Sequence, residues 1–388
     1  MTSGNGGNGA DMIDWDLAVA TANRLVRPGP DVGRDEARAV VAELRAHAKT
    51  SEGHVRAFTG LDSGDNNTPV LVVDRPGWAR ANVQGFRHVL RPLLDKVEER
   101  REAMPGGGAL GTVGGKVTGL ELGTLLAFLS SRVLGQYETF APQAPGATGR
   151  GPGRLLLVAP NIVQVERELE VDPHDFRLWV CLHEETHRTQ FTAVPWLRDH
   201  LEQEIHGFLT QTEVDPSAVM GRLRDAVQAF VGARKAGAGA DGERDGGSIV
   251  ELVQTPEQRE ILGRITAVMS LLEGHADFVM DGVGPQVIPT VGHIREKFAE
   301  RRAQGSGRLD LALRKLLGMD AKLRQYRDGE RFVREVVGRV GMEGFNRVWT
   351  SPNTLPTKAE VAEPGTWVDR VHGKASTSGT GDGASDPE

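Results

Sequence analysis

A single cysteine, Cys181, is all the thiol this chain carries, so no intrachain disulfide can staple its fold. That scarcity suits a reducing compartment, and a cytoplasmic location is the expectation. Cys181 itself reads as a small buried hydrophobe. Charge of one sign is also lacking: 46 basic residues stand against 53 acidic ones, for a net −7. No basic patch with interleaved aromatics appears, which argues against nucleic acid as a partner. Aromatics make up only 5 % of the chain, and there are just two tyrosines. Long apolar runs are missing too. The most apolar stretch, 120–134, is short and contains Glu121 and Arg132. It reads as a buried helix, and no membrane partner is expected. The first residues have neither a basic region nor an apolar one, so no signal peptide is expected in them.

Glycine, by contrast, is abundant, with 49 residues in 388. Residues 1–11 and 373–388 are expected to be disordered tails. Residues 12–372 are expected to form one domain, with flexible Gly-rich insertions near 105–116 and 235–248. Gly115-Lys116 resembles the end of a phosphate-binding loop. Leu110 stands where such a loop needs glycine, however, and Val117 where it needs Ser or Thr, so that reading fails.

Periodicity predicts helices over 14–25, 35–48, 74–102, 119–139, 196–209, 255–280, 308–317, 329–340 and 342–349. Short strands are expected at 70–73 and 154–162. Pro160 cannot donate to a ladder, which suggests an edge position for the second strand. Such an edge could pair with an extended peptide, or the strand could simply pack under a helix.

The most informative stretch is Cys181-Leu182-His183-Glu184-Glu185-Thr186-His187-Arg188. It falls in a predicted helix that opens with Asp172 as N-cap, Pro173 at the first helical position and Asp175 in the first turn. Period 3.6 puts His183 and His187 on one face, one turn apart. That spacing lets two imidazoles reach one zinc ion, and Glu184 can address a water on it. The five-residue pattern arises by chance in roughly a few per cent of chains this long. The competing interpretation is an amphipathic helix with two half-buried histidines, which would be costly without partners for the rings.

Two histidines leave a catalytic zinc one ligand short. A further histidine on the same helix is excluded, because Gln190 and Ala193 occupy the positions that the extended motif needs as Gly and His. The best candidate is Glu273, which continues the row of Ile265 and Met269 at four-residue steps. Glu202, Glu204, His206 and His275 compete with it. Asp277, one turn beyond Glu273, could accept a hydrogen bond from a ligand histidine and fix its tautomer. His275 could line the cleft and bind an oxyanion, and Tyr326 is a second candidate for that role.

Taken together, the chain resembles the bacterial zincin-like metallopeptidases of type 2. The resemblance rests on Leu155-Leu156-Leu157-Val158, on His183-Glu184-Glu185-Thr186-His187, on Leu272-Glu273-Gly274-His275-Ala276-Asp277, and on Lys322-Leu323-Arg324-Gln325-Tyr326 with Phe332. It implies a mainly α fold with a small β-sheet, an α+β zincin-like core with extra helices. It also implies a Zn²⁺-dependent hydrolase acting on a peptide or a small amide. His183, His187 and Glu273 would hold the metal, Glu184 would be the general base, and Asp277 would support a ligand. The alternatives are a zinc hydrolase acting on a non-peptide amide or ester, and a non-catalytic zinc-stabilised binding protein.

Overall fold

The computed structural model describes residues 12–64, 68–102, 108–141, 153–211, 256–303 and 319–373. Side chains of 100–115, 211, 256, 302–303 and 319–327 are outside that description. The expected tail at 1–11, all of the expected tail at 373–388 but Gly373, the insertion at 235–248 and the helix at 308–317 also fall outside it.

The fold is mainly helical around a three-stranded sheet. In chain order the helices are α1 (Trp15–Leu25), α2 (Arg34–Thr59), α3 (Arg75–Glu102), α4 (Gly108–Leu129), α5 (Ala159–Leu169), α6 (Pro173–Ala193), α7 (Pro195–Gln211), α8 (Pro256–Val287), α9 (Val291–Ala303) and α10 (Met319–Phe345). Short 3₁₀ turns and two helices, α11 (Lys358–Ala362) and α12 (Pro364–His372), complete the described chain. The strands are β1 (Val70–Val73), β2 (Gly135–Glu138) and β3 (Arg154–Val158). No described helix is long and apolar enough to cross a membrane.

β3 lies in the middle of the sheet, parallel to β1 and antiparallel to β2. This corrects the edge position suggested by Pro160. That proline belongs to the first turn of α5, where a missing N–H costs nothing. Leu155, Leu156, Leu157 and Val158 are fully buried, as a strand covered on both faces requires. Their side chains alternate between two clusters. Leu157 joins α2, α5 and α6, whereas Leu156 and Val158 join α1, α3 and α4.

A second correction concerns 105–139. Instead of a flexible loop followed by a helix to 139, a helix begins at Gly108 and stops at Leu129. Glycine costs a helix about 1 kcal/mol each relative to alanine but does not forbid it. Here Leu122 and Leu126 bury against Ile13, Trp15, Ala18 and Ala22, and that packing supports the helix. At its far end the Ser130 and Ser131 hydroxyls donate to the carbonyls of Ala127 and Phe128, competing with further helix. The chain then turns and pairs Gln136 with Leu156. Sheet pairing overrides the helical pattern that Val133 had seemed to continue.

α6 is the helix against which the rest is arranged. Asp172 accepts from the Asp175 amide at 2.9 Å, as its N-cap position predicts. Asp175 in turn accepts from the Thr290 amide and hydroxyl, fixing the turn between α8 and α9. On another face Arg188 donates to Glu185, Glu52 and the Thr68 carbonyl. This buried polar net ties α6 to α2 and to the approach to β1. The apolar faces of α7, α8, α10 and the C-terminal turns form a third cluster around Phe332, Phe345 and Trp367.

Candidate metal centre

His183 and His187 share one face of α6, and their Nε2 atoms face each other at 3.2 Å. Glu273 reaches the same point from α8. One of its oxygens lies 3.7 Å from His183 Nε2 and the other 3.8 Å from His187 Nε2. A tetrahedral ion with bonds of about 2.0–2.1 Å spaces its ligand atoms at roughly 3.3 Å. The three donors therefore fit one divalent cation with little adjustment. They form one of two such groups among the described residues. Of the competing candidates, Glu202 pairs with His88 and Glu204 with Arg264.

Glu184 sits beside this triad, 7 % exposed. Its carboxylate lies against Gly135 of β2. A Cβ at position 135 would overlap Glu184 Cγ and Cδ and lie 2.7 Å from Oε1. Only glycine leaves the acid its place. Burial, helped by Glu273, pushes Glu184 up to about 8 against the pull of His187. His183 is driven down to about 4 by burial and by its neighbour His187. Burial acts in the same direction on His187, but Glu273, Glu184, Gln190 and Asp277 outweigh it and raise its pKa. A cation among the donors would favour the charged form of Glu184 and the neutral imidazoles.

The second ring nitrogen of His187 is held by a residue the sequence did not single out. Gln190 Oε1 accepts from Nδ1 at 3.0 Å. Gln190 Nε2 donates to the Leu272 carbonyl at 2.9 Å and to His275 Nδ1 at 3.0 Å. These bonds give His187 the tautomer whose Nε2 lone pair faces the triad. Gln190 thus makes a tautomer-fixing hydrogen bond to His187, and Asp277 adds a nearby negative charge. The available signal was position alone: Gln190 lies three residues after His187, on the same helical face. His183 Nδ1 is 3.2 Å from Met280 Sδ, likewise unforeseen.

His275 does not line a cleft. It is fully buried behind Gln190, stacked on Phe345 at 5.4 Å and edge-on to Trp349. Burial, then the charge of His187, holds its pKa down at about 3. Such an imidazole stays neutral and accepts the Gln190 hydrogen bond. Tyr326 is in α10, but its side chain lies outside the described residues.

Comparison with known proteins agrees with this geometry. The sequence profile of the zincin-like metallopeptidases matches residues 13–368, nearly the whole chain. The chain belongs to that family. Among solved structures, this zincin-like metallopeptidase is similar to a protein of Chloroflexus aurantiacus described as a candidate hydrolase with a novel fold. The two are 30 % identical with a TM-score of 0.65, over 94 % of this chain and all of the other. No curated protein matches this zincin-like metallopeptidase.

The Gln190 bridge is directly testable. Gln190→Ala removes the hydrogen-bond partner of an imidazole placed to hold a metal, and should weaken metal binding about 10- to 100-fold, as loss of such outer partners does. Competition with a chromophoric chelator measures this. Unchanged affinity would mean that the bridge does not orient His187.

Proposed function

We propose that the protein is a zinc-dependent peptidase whose metal is held by His183, His187 and Glu273. The observation that carries this reading is the convergence of those three donors at 3.2–3.8 Å from two distant helices, next to a buried carboxylate. The donor set favours zinc, because two imidazoles and one carboxylate with an open fourth position are the catalytic pattern for that ion. When bound, zinc supplies Lewis acidity, polarising a carbonyl oxygen and acidifying a water.

The chain's own residues supply the rest. Glu184 accepts a proton from the attacking water on one carboxylate oxygen and delivers it to the departing nitrogen. Gln190 keeps His187 in the ligand tautomer, and His275 anchors Gln190 from behind. β2 is the sheet edge next to Glu184, and it takes over the peptide-pairing role first considered for β3. An extended substrate lying along β2 would present its scissile carbonyl close to Gly135.

Exhaustive chelation is expected to abolish cleavage of a peptide library, and added Zn²⁺ to restore it. Helical circular dichroism should change little, because the cores described above do not include the ligands. Cleavage that continues undiminished in the metal-free protein would overturn the proposal.

A further inference from the structure

A second cluster of ligand-type side chains lies at the opposite end of α6. Glu43 and His47 are one turn apart on α2, and His174 is the second residue of α6. Glu43 Oε1 lies 2.9 Å from His174 Nδ1 and 3.3 Å from His47 Nε2. The two rings meet edge to face, with centroids 4.6 Å apart. One donor atom from each residue falls within 4.8 Å of the others. His174 and His183 are nine positions apart on one helix, so the clusters are separated by about 13 Å along its axis.

Two observations make this more than an ion pair on the surface. His47 is 7 % exposed, and its Nε2 faces Glu43 Oε1 at 3.3 Å without good hydrogen-bond geometry. A buried ring nitrogen so weakly satisfied is costly unless something completes it. The local charge also favours a cation. Arg177 donates to Glu43 Oε2 at 2.5 Å and twice to the buried Glu166. One guanidinium is thus shared by two carboxylates beside two imidazoles, with Arg167 a weaker influence on Glu166. The arrangement orients Glu43 so that Oε1 remains available to the histidines.

We propose that Glu43, His47 and His174 form a second binding site for a divalent transition-metal ion, separate from the catalytic triad. Two imidazoles with one carboxylate select zinc and its neighbours over magnesium or calcium, which prefer oxygen. The exposed side of His174 leaves room for water as a fourth ligand. An ion held there would fasten α2 to the start of α6, the helix that carries the catalytic pair. This inference does not depend on the peptidase reading.

The test is the zinc stoichiometry of tag-free full-length protein, measured by equilibrium dialysis against micromolar Zn²⁺ and elemental analysis. His174→Ala is the variant to compare, because its side chain is 64 % exposed and its removal leaves the core intact. The parent is expected to hold two equivalents and the variant one. Equal stoichiometry in the two proteins would overturn the proposal and leave a hydrogen-bonded ion-pair network only. One equivalent in the parent and none in the variant would uphold this site while refuting metal binding by the His183–His187–Glu273 triad.

Discussion

Glu184→Gln is expected to keep its zinc at the triad and lose peptide hydrolysis by about 10²- to 10⁴-fold, the usual contribution of a positioned general base. The substitution exchanges one oxygen for an NH₂ group and alters no ligand. Burial already favours the neutral form of this side chain, so an uncharged amide should not destabilise the fold. The expected profile is therefore normal metal content, an unchanged unfolding midpoint and a collapse in kcat. Hydrolysis within a few-fold of the parent would remove Glu184 from the mechanism. Lost metal together with lost activity would instead point to a structural role for the residue.

Gly274→Ala should be nearly as damaging, although residue 274 touches no substrate. Here α8 crosses α10 backbone to backbone. A Cβ at 274 would overlap the backbone of Gly329 and Glu330, and one at 329 would overlap the Ser270 carbonyl. None of these atoms can rotate away, so the helices must separate. Overpacking of this kind costs about 1–3 kcal/mol, more than the helix-propensity gain of about 1 kcal/mol from replacing glycine. The residues flanking Gly274 are Glu273 and His275, so separation displaces the proposed third ligand and the base of the Gln190 bridge together. A shift of about 1 Å at such a site can cost roughly 10²-fold in rate. The control is Gly263→Ala on the same helix, where the added methyl meets nothing within 4 Å. That variant should be as stable as the parent or slightly more so. A Gly274→Ala protein with parental stability and activity would show that the crossing is looser than described.

The parts of this site that lie within one helix were legible in the sequence. The Asp172 cap, Pro173 and the His-Glu-x-x-His spacing are local, and local geometry follows from helical period alone. Glu273 does face the two rings, but the reason that pointed to it does not hold in three dimensions. Met269, in the row that seemed to point inward, is 41 % exposed. The row runs along the rim of the core, where a carboxylate can meet ligands from another helix. Contacts between distant segments were not legible. Gln190 joins His187 to His275 across 85 residues, and Gly135 faces Glu184 from a strand that a helical pattern had concealed. Pro160 misled because β3 passes directly into α5, and proline at a helix start looks the same in sequence as proline at a sheet edge.

The pairing of β2 with β3 carries one more implication. Gly135 stands opposite Leu157, and the alternating residues of β3 fill separate interiors. Inserting or deleting one residue within β3 would invert which leucine enters which interior. It would also bring Leu134 or Gln136 toward the acid in place of Gly135, blocking it with a side chain. The number of residues in this short strand should therefore be fixed across the protein's descendants, while the loops on either side remain free to lengthen.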